Sequence, residues 1–341
     1  LELGKRDKAL DVARNIDSKY HQTVSLGEVA LDMAREGKID RAVQLLSEAP
    51  KKFERMDYRS RIADVCAQKG MADRAMDLAG TINHRSLRPT GLVSVANELS
   101  TQGQFQKALA ALHKVSGNPG FKTSAGKKLV KHLVQNTTPD NYEQRLSLAV
   151  DGIEAIAGNR RAPSLYKIAE KYRQLGELDR SLELLGRAEQ NLNQAGTACR
   201  VFTAKAAIQW ARGNRDKAGQ LVDRISKLMS RVRYKYSLAP ELVSELDKDK
   251  KLRPLALELA RAFQSPDLRV QVLWKTAEAR IKAGNKEKAR DLFVEGLMLV
   301  ETANKPDLQV SMLLHAADRL SNTGLGETER IRTAAARITR K

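Results

Sequence analysis

Aromatic side chains are scarce in this chain. Two Trp, seven Tyr and six Phe make up 4% of 341 residues. That is poor material for one large globular core. It suits amphipathic helices that pack mainly through Leu and Ala, because each such helix buries only one stripe. Long apolar runs are also missing: none approaches the roughly 20 residues that span a bilayer, so no membrane span is expected. Cysteine is limited to Cys66 and Cys199. A disulfide framework is therefore not expected, and each Cys reads as a small buried hydrophobe. That usage fits a reducing compartment and leans to the cytoplasm. An exported form whose signal has been removed is the alternative, since the chain opens at Leu1 rather than Met, inside a repeat, as a mature form or fragment would.

Chemistry-bearing constellations are absent as well. The five histidines (His21, His84, His113, His132, His315) never stand at metal-ligand spacing from one another or from a Cys, and neither HExxH nor CxxC occurs. No Ser or Cys sits in a nucleophile elbow. Lys122, Lys127, Lys128 and Lys131 cluster beside His132. Gly126-Lys127 lacks the upstream Gly, the following Ser or Thr and the preceding strand of an NTPase phosphate loop, leaving at most a weak anion site. Enzyme activity, metals and cofactors are not expected.

What is present is a stretch that recurs. Gly37-Lys38-Ile39-Asp40-Arg41-Ala42 has counterparts beginning at Gly4, Gly70, Gly103, Gly176, Gly213 and Gly284, and the first four of these glycines are each 33 residues apart. A fixed period of this size marks stacked helical repeats. An apolar segment of helical period precedes each glycine, which ends that helix at a turn. Asp7, Asp40, Asp73, Asp179 and Asp216 fall in the first turn of the next helix, where the dipole favours negative charge. Two residues later comes a small residue, Ala in most copies and Ser181 in one. A second small residue lies seven before each glycine: Ala30, Ala63, Ala96, Ala169, Ala206 and Ala277, with Ala317 before Gly324. Small residues at these two places let helices cross closely.

Leu26, Ala30, Met33, Gly37, Ala42, Leu46 and Ala49 in one copy resemble the tetratricopeptide family, as do Ala169, Tyr172, Gly176, Ser181, Leu185 and Ala188 in another. The family's Trp near the repeat start is missing, and its closing proline appears only at Pro50 and Pro119. The resemblance covers nearly the whole chain. It implies an all-α fold, an alpha-alpha superhelix of about nine to ten helix–turn–helix repeats forming one solenoid over 1–341.

Helix pairs are expected at 20–36 with 38–49, 52–69 with 71–83, and 86–102 with 104–116, after a lone second helix at 5–17. The spacings Gly103 to Gly176 (73 residues) and Gly213 to Gly284 (71 residues) each hold two repeats. Degenerate pairs therefore fall near 121–157 and 233–263. A last pair is expected at 305–323 and 326–339. No strand signal occurs.

The resemblance also implies that the first helix of each pair lines a concave, peptide-binding face. The residues after each small position are Leu31, Asp64, Asn97, Glu170, Ala207, Glu278 and Asp318, mostly acidic or amide. The peptide-contacting set is Asp64, Asn97, Tyr166, Glu170, Arg173, Trp210, Trp274 and Glu278. The two Trp are either aromatic anchors for a bound peptide or packing residues between repeats.

Charge supplies the alternative. The net charge is +19. It is uneven: residues 1–50 carry 8 basic and 9 acidic side chains, 101–150 carry 7 and 2, and 201–250 carry 11 and 6. Arg224, Lys227, Arg231 and Lys235 form one stripe if a single helix runs through them, with Arg233, Tyr234 and Tyr236 interleaved. Basic residues among aromatics can hold phosphate and stack bases. The leading expectation is a scaffold for a protein or peptide. The alternative is a nucleic acid or another polyanion bound without strong sequence preference.

Overall fold

The computed structural model describes residues 3–301 apart from residue 118, together with residues 309, 312 and 313. The expected last helix pair, with Ala317, Asp318 and Gly324, lies outside the described residues. Among the described residues the chain is all-α, with no strand. It divides into two compact units, Leu1–Lys171 and Tyr172–Lys341.

The first unit opens with α1 (Leu3–Arg14) and continues in pairs: α2 (Lys19–Arg35) with α3 (Ile39–Glu48), α4 (Lys52–Gln68) with α5 (Ala72–Gly80), α6 (Leu87–Thr101) with α7 (Phe105–His113), and α8 (Pro119–Gln135) with α9 (Tyr142–Ile153). After a 3₁₀ turn at Gly158–Arg160 comes α10 (Ala162–Gln174), within which the division of units falls. The second unit continues with α11 (Leu178–Glu189), α12 (Ala195–Ala211) with α13 (Arg215–Met229), α14 (Lys235–Asp247) with α15 (Arg253–Ala262), and α16 (Pro266–Lys282) with α17 (Lys286–Glu301). The degenerate pairs expected near 121–157 and 233–263 are α8–α9 and α14–α15.

Within each unit a first helix packs on its own partner and on the next first helix: α2 on α3 and α4, α4 on α5 and α6, α12 on α13 and α14. This explains two sequence textures. A first helix is covered on two sides, so α2 buries Leu26, Val29, Ala30, Leu31, Met33 and Ala34, a broad apolar surface. A second helix is covered mainly on one side, so α3 buries only the stripe Ile39, Ala42, Leu45 and Leu46 and turns its charges outward.

The recurring glycine has a backbone cause. Gly37 sits at φ 89°, a region closed to most side-chain-bearing residues. There its N–H reaches the Ala34 carbonyl and the Lys38 N–H reaches the Met33 carbonyl, both at 2.9 Å. This double bond pattern is a Schellman cap, which satisfies carbonyls orphaned at the helix end. The same pair of bonds closes the helices before Gly70, Gly103, Gly176, Gly213 and Gly284.

The small residues behave as their spacing predicts. Ala30, Ala63, Ala96, Ala169, Ala206 and Ala277 are buried, as are Ala42, Ala75, Ala108, Ser181, Ala218 and Ala289. Hydroxyls add a second repeating tie. Buried Thr23 accepts the Lys51 N–H at 3.0 Å, and buried Thr123, a hundred positions on, accepts the Ala157 N–H at 3.0 Å. The α8–α9 pair thus keeps the repeat's wiring although its turn has lost the glycine. Both cysteines are buried, and burial pushes each thiol up to about 11.

Candidate functional site

On α4, α6 and α8 the least buried flank follows i, i+4, i+7, i+11 spacing, which keeps side chains on one face. On α4 that flank carries Asp57, Arg61, Asp64 and Gln68, and on α6 it carries Thr90, Ser94, Asn97 and Thr101. The Thr23 and Thr123 correspondence places Lys128 and Lys131 of α8 at the same register, both exposed. The face therefore passes from carboxylate and amide groups on α4 and α6 to ammonium groups on α8. Glu28 of α2 joins it to α4: its carboxylate accepts from Arg61 at 3.0 Å and from the Tyr58 hydroxyl at 2.8 Å.

Asp64 and Asn97 occupy equivalent places in neighbouring repeats and share a property. Each is half-buried, and each has its Oδ1 shielded from solvent with no hydrogen-bond donor. Burial pushes the Asp64 carboxyl up to about 6; the Ser94 hydroxyl bonds to it and pulls the other way, while Glu98 and Asp57 add like charge. Ser94, two residues before the small Ala96, is not among the sequence candidates, which take the position after each small residue and aromatic or charged residues three before or four after it. The i, i+3 relation to Asn97 finds it on the same helix face.

The remaining expected contacts are placed differently. Tyr166 and Glu170 of α10 fall in the first unit and Arg173 in the second; all three are half-buried. Glu278 of α16 is half-buried at the register of Asp64. Trp210 closes α12 half-buried, its indole N–H donating to the Lys251 carbonyl at 3.2 Å and the Arg215 guanidinium lying 3.5 Å above its ring.

Trp274 is a correction. It is 2% exposed, packs against Phe293 of α17 and donates its indole N–H to the Phe293 carbonyl at 3.3 Å. Its space exists because α17 carries Gly296 there; a Cβ at that position would run into the indole. Trp274 is core and offers no anchor to a peptide. Leu31 and Ala207, at the register of Asp64, are buried too.

The basic stripe is also corrected. No single helix runs through it: α13 ends at Met229 and α14 begins at Lys235, with Val232 buried between them. Arg224 and Lys227 lie on α13, Arg231 and Arg233 in the connection, and Lys235 at the start of α14. Arg224 is engaged, pairing with Glu189 at 3.0 Å and lying 4.0 Å over the Phe202 ring.

Among the described residues no cluster of three or more His, Cys, Asp or Glu could hold a metal, and no helix is long and apolar enough to cross a membrane.

No protein-family profile matches the chain, and no curated protein does. Among solved structures it is similar to Ton1535 from Thermococcus onnurineus NA1, with 15% identity over 92% of this chain and 96% of that one at a TM-score of 0.25. It is similar also to a circular tandem repeat protein with novel repeat topology and enhanced subunit contact surfaces, with 13% identity over 99% of this chain and 72% of that one at a TM-score of 0.27. Likenesses this distant leave the helices themselves to define the chain: it is an all-α protein built from repeated helix pairs.

Proposed function

We infer that this chain is a non-enzymatic scaffold of the tetratricopeptide-like kind, which binds an extended protein segment along the first-helix face of its first unit. The observation that carries this reading is the pair of partnerless acceptor oxygens on Asp64 and Asn97. Shielded acceptors without donors are rare in native proteins because each costs about 1–3 kcal/mol. A ligand that brings N–H donors to both repeats, once the side chains turn outward, removes that cost. Repetition at one register suits a segment that lies across neighbouring first helices. Lys128 and Lys131 at the far end suit a segment whose donor-rich part is followed by a carboxylate.

The test selects peptides from a random library against the intact chain and measures their affinity for Asn97→Ala and Asp64→Ala variants. Removing a hydrogen-bonding partner of a bound ligand weakens binding by about 1 kcal/mol or more, roughly fivefold. Selected peptides should show at least that loss in both variants. Peptides whose affinity is unchanged in both would overturn the assignment of this face.

A further inference from the structure

Exposed aromatic rings are costly on a soluble surface, and here they gather in one structural place. Among the described residues, the Tyr and Phe side chains that stand exposed are Tyr20, Phe53, Phe121, Tyr234 and Tyr236. Every one lies at the beginning of a first helix: Tyr20 in α2, Phe53 in α4, Phe121 in α8, and Tyr234 and Tyr236 at α14. Each also has a basic neighbour in sequence: Lys19, Lys52, Lys122, Arg233 and Lys235. Tyr234 lies over Gly196 and the Tyr236 hydroxyl donates to Asp267, whereas Phe53 and Phe121 stand half in water and bury little.

In the first unit the starts of α4, α6 and α8 form one connected surface. The Phe53 ring meets the His84 imidazole edge-on at 5.0 Å. Next to His84, Arg85 and Ser86 open a pocket of about 460 Å³ whose other walls are Pro89, Gly117, Pro119 and Phe121. Phe53 and Phe121 are 51% and 44% exposed, which leaves ring surface of each accessible from solvent. Lys51 and Lys52 precede Phe53, Lys122 follows Phe121, Arg85 lines the pocket and Arg88 lies one turn beyond it; among the described residues none of the five is in an ion pair. Elsewhere in the unit, Arg61 and Lys107 are neutralised by Glu28 and Asp73.

We propose that this edge, from Phe53 through the Arg85–Phe121 pocket, binds single-stranded nucleic acid, stacking unpaired bases on Phe53 and Phe121 and holding phosphates with Lys52, Arg85 and Arg88. Open rings interleaved with unpaired cations are what a stacking platform needs, since every base has a face to stack and every nucleotide a phosphate. A duplex hides those faces. An anionic membrane would draw on contiguous apolar area, and here polar His84, Arg85 and Ser86 stand between the rings. The edge lies at the starts of the first helices and uses none of the residues of the Asp64–Asn97 face.

The experiment titrates a fluorescein-labelled 15-nucleotide single strand of mixed sequence, its duplex, and phosphatidylserine-containing vesicles against the intact chain across a salt series. The variants are Phe53→Ala/Phe121→Ala and Lys52→Glu/Arg85→Glu, with Arg41→Glu/Lys69→Glu as an equal-charge control at exposed positions at the other ends of the first helices. Circular dichroism confirms that each folds. The single strand should bind more tightly than the duplex. The ring variant should lose at least about fivefold in affinity at fixed salt, while its salt slope stays unchanged. The edge charge variant should flatten the salt slope more than the control does. Equal loss in control and edge variants, indifference to the rings, preference for duplex or vesicles, or no binding would each overturn the proposal.

Discussion

Arg280 of α16 and Asp247 at the end of α14 form an ion pair at 2.8 Å in which both side chains are more than nine-tenths buried. It ties consecutive first helices of the second unit together where water cannot screen the charges. Removing one partner strands the other charge in the core. Asp247→Ala should therefore destabilise the unit by about 3–5 kcal/mol. The double variant Asp247→Leu/Arg280→Met, which removes both charges and keeps the volume, should recover most of that loss. Urea melts of the single and double variants check it.

The close crossing of first helices makes a second prediction. Ala63 and Ala96 are 0% and 1% exposed at the places where neighbouring helices meet. Ala63→Arg or Ala96→Arg would force a long cation into that contact and should cost roughly 3 kcal/mol or more. Near-normal thermal stability of either variant would contradict the packing described for α4 and α6.

The capping turns make a third. A Cβ built on Gly37 would meet nothing within 4 Å, so the requirement for glycine is purely conformational. Gly37→Ala should cost about 1–2 kcal/mol, and Gly37→Asn less, because Asn tolerates the left-handed region better. Thermal melts that rank Ala at or above Asn would show that the cap is not what ends α2.

Much of this architecture was legible because its causes act through residue type. Positive φ demands Gly at Gly37 and its counterparts, and a close crossing demands Ala at Ala63 or Ala96. The outward face of the first helices was less legible. These helices are covered on two sides, so their apolar pattern does not single out one open flank. Trp274 was placed on the face for that reason, although Gly296 in the middle of α17 was a sequence signal for the space it fills. The apparent stripe from Arg224 to Lys235 failed because spacing alone cannot reveal the break between α13 and α14. The exposure of Phe53 and Phe121 had no sequence signal at all, since nothing local separates an exposed ring at a helix start from a buried one.

Asp64 supplies a pH prediction. Its carboxyl is raised from 3.8 to about 6, chiefly by burial. The folded chain thus holds this proton more tightly than the unfolded chain does. Stability from this group is present below about pH 4 and falls as pH rises toward 6. Asp64→Asn mimics the protonated form and matches what Asn97 already does one repeat on. The variant should equal the parent at pH 4 and exceed it at pH 7, by less than about 2 kcal/mol because the side chain is only partly shielded. Chemical denaturation at the two pH values decides the sign.

The most direct test of the scaffold reading places a photo-crosslinking residue at Ser94, beside Asp64 and Asn97, and separately at Arg41, an exposed position on the second helix α3. A peptide selected for binding to the chain is then irradiated with each. The account predicts efficient crosslinking from Ser94, little from Arg41, and loss of the Ser94 product when Asp64 and Asn97 are both changed to Ala. Crosslinking from Arg41 alone, or a Ser94 product that survives the double change, would contradict it.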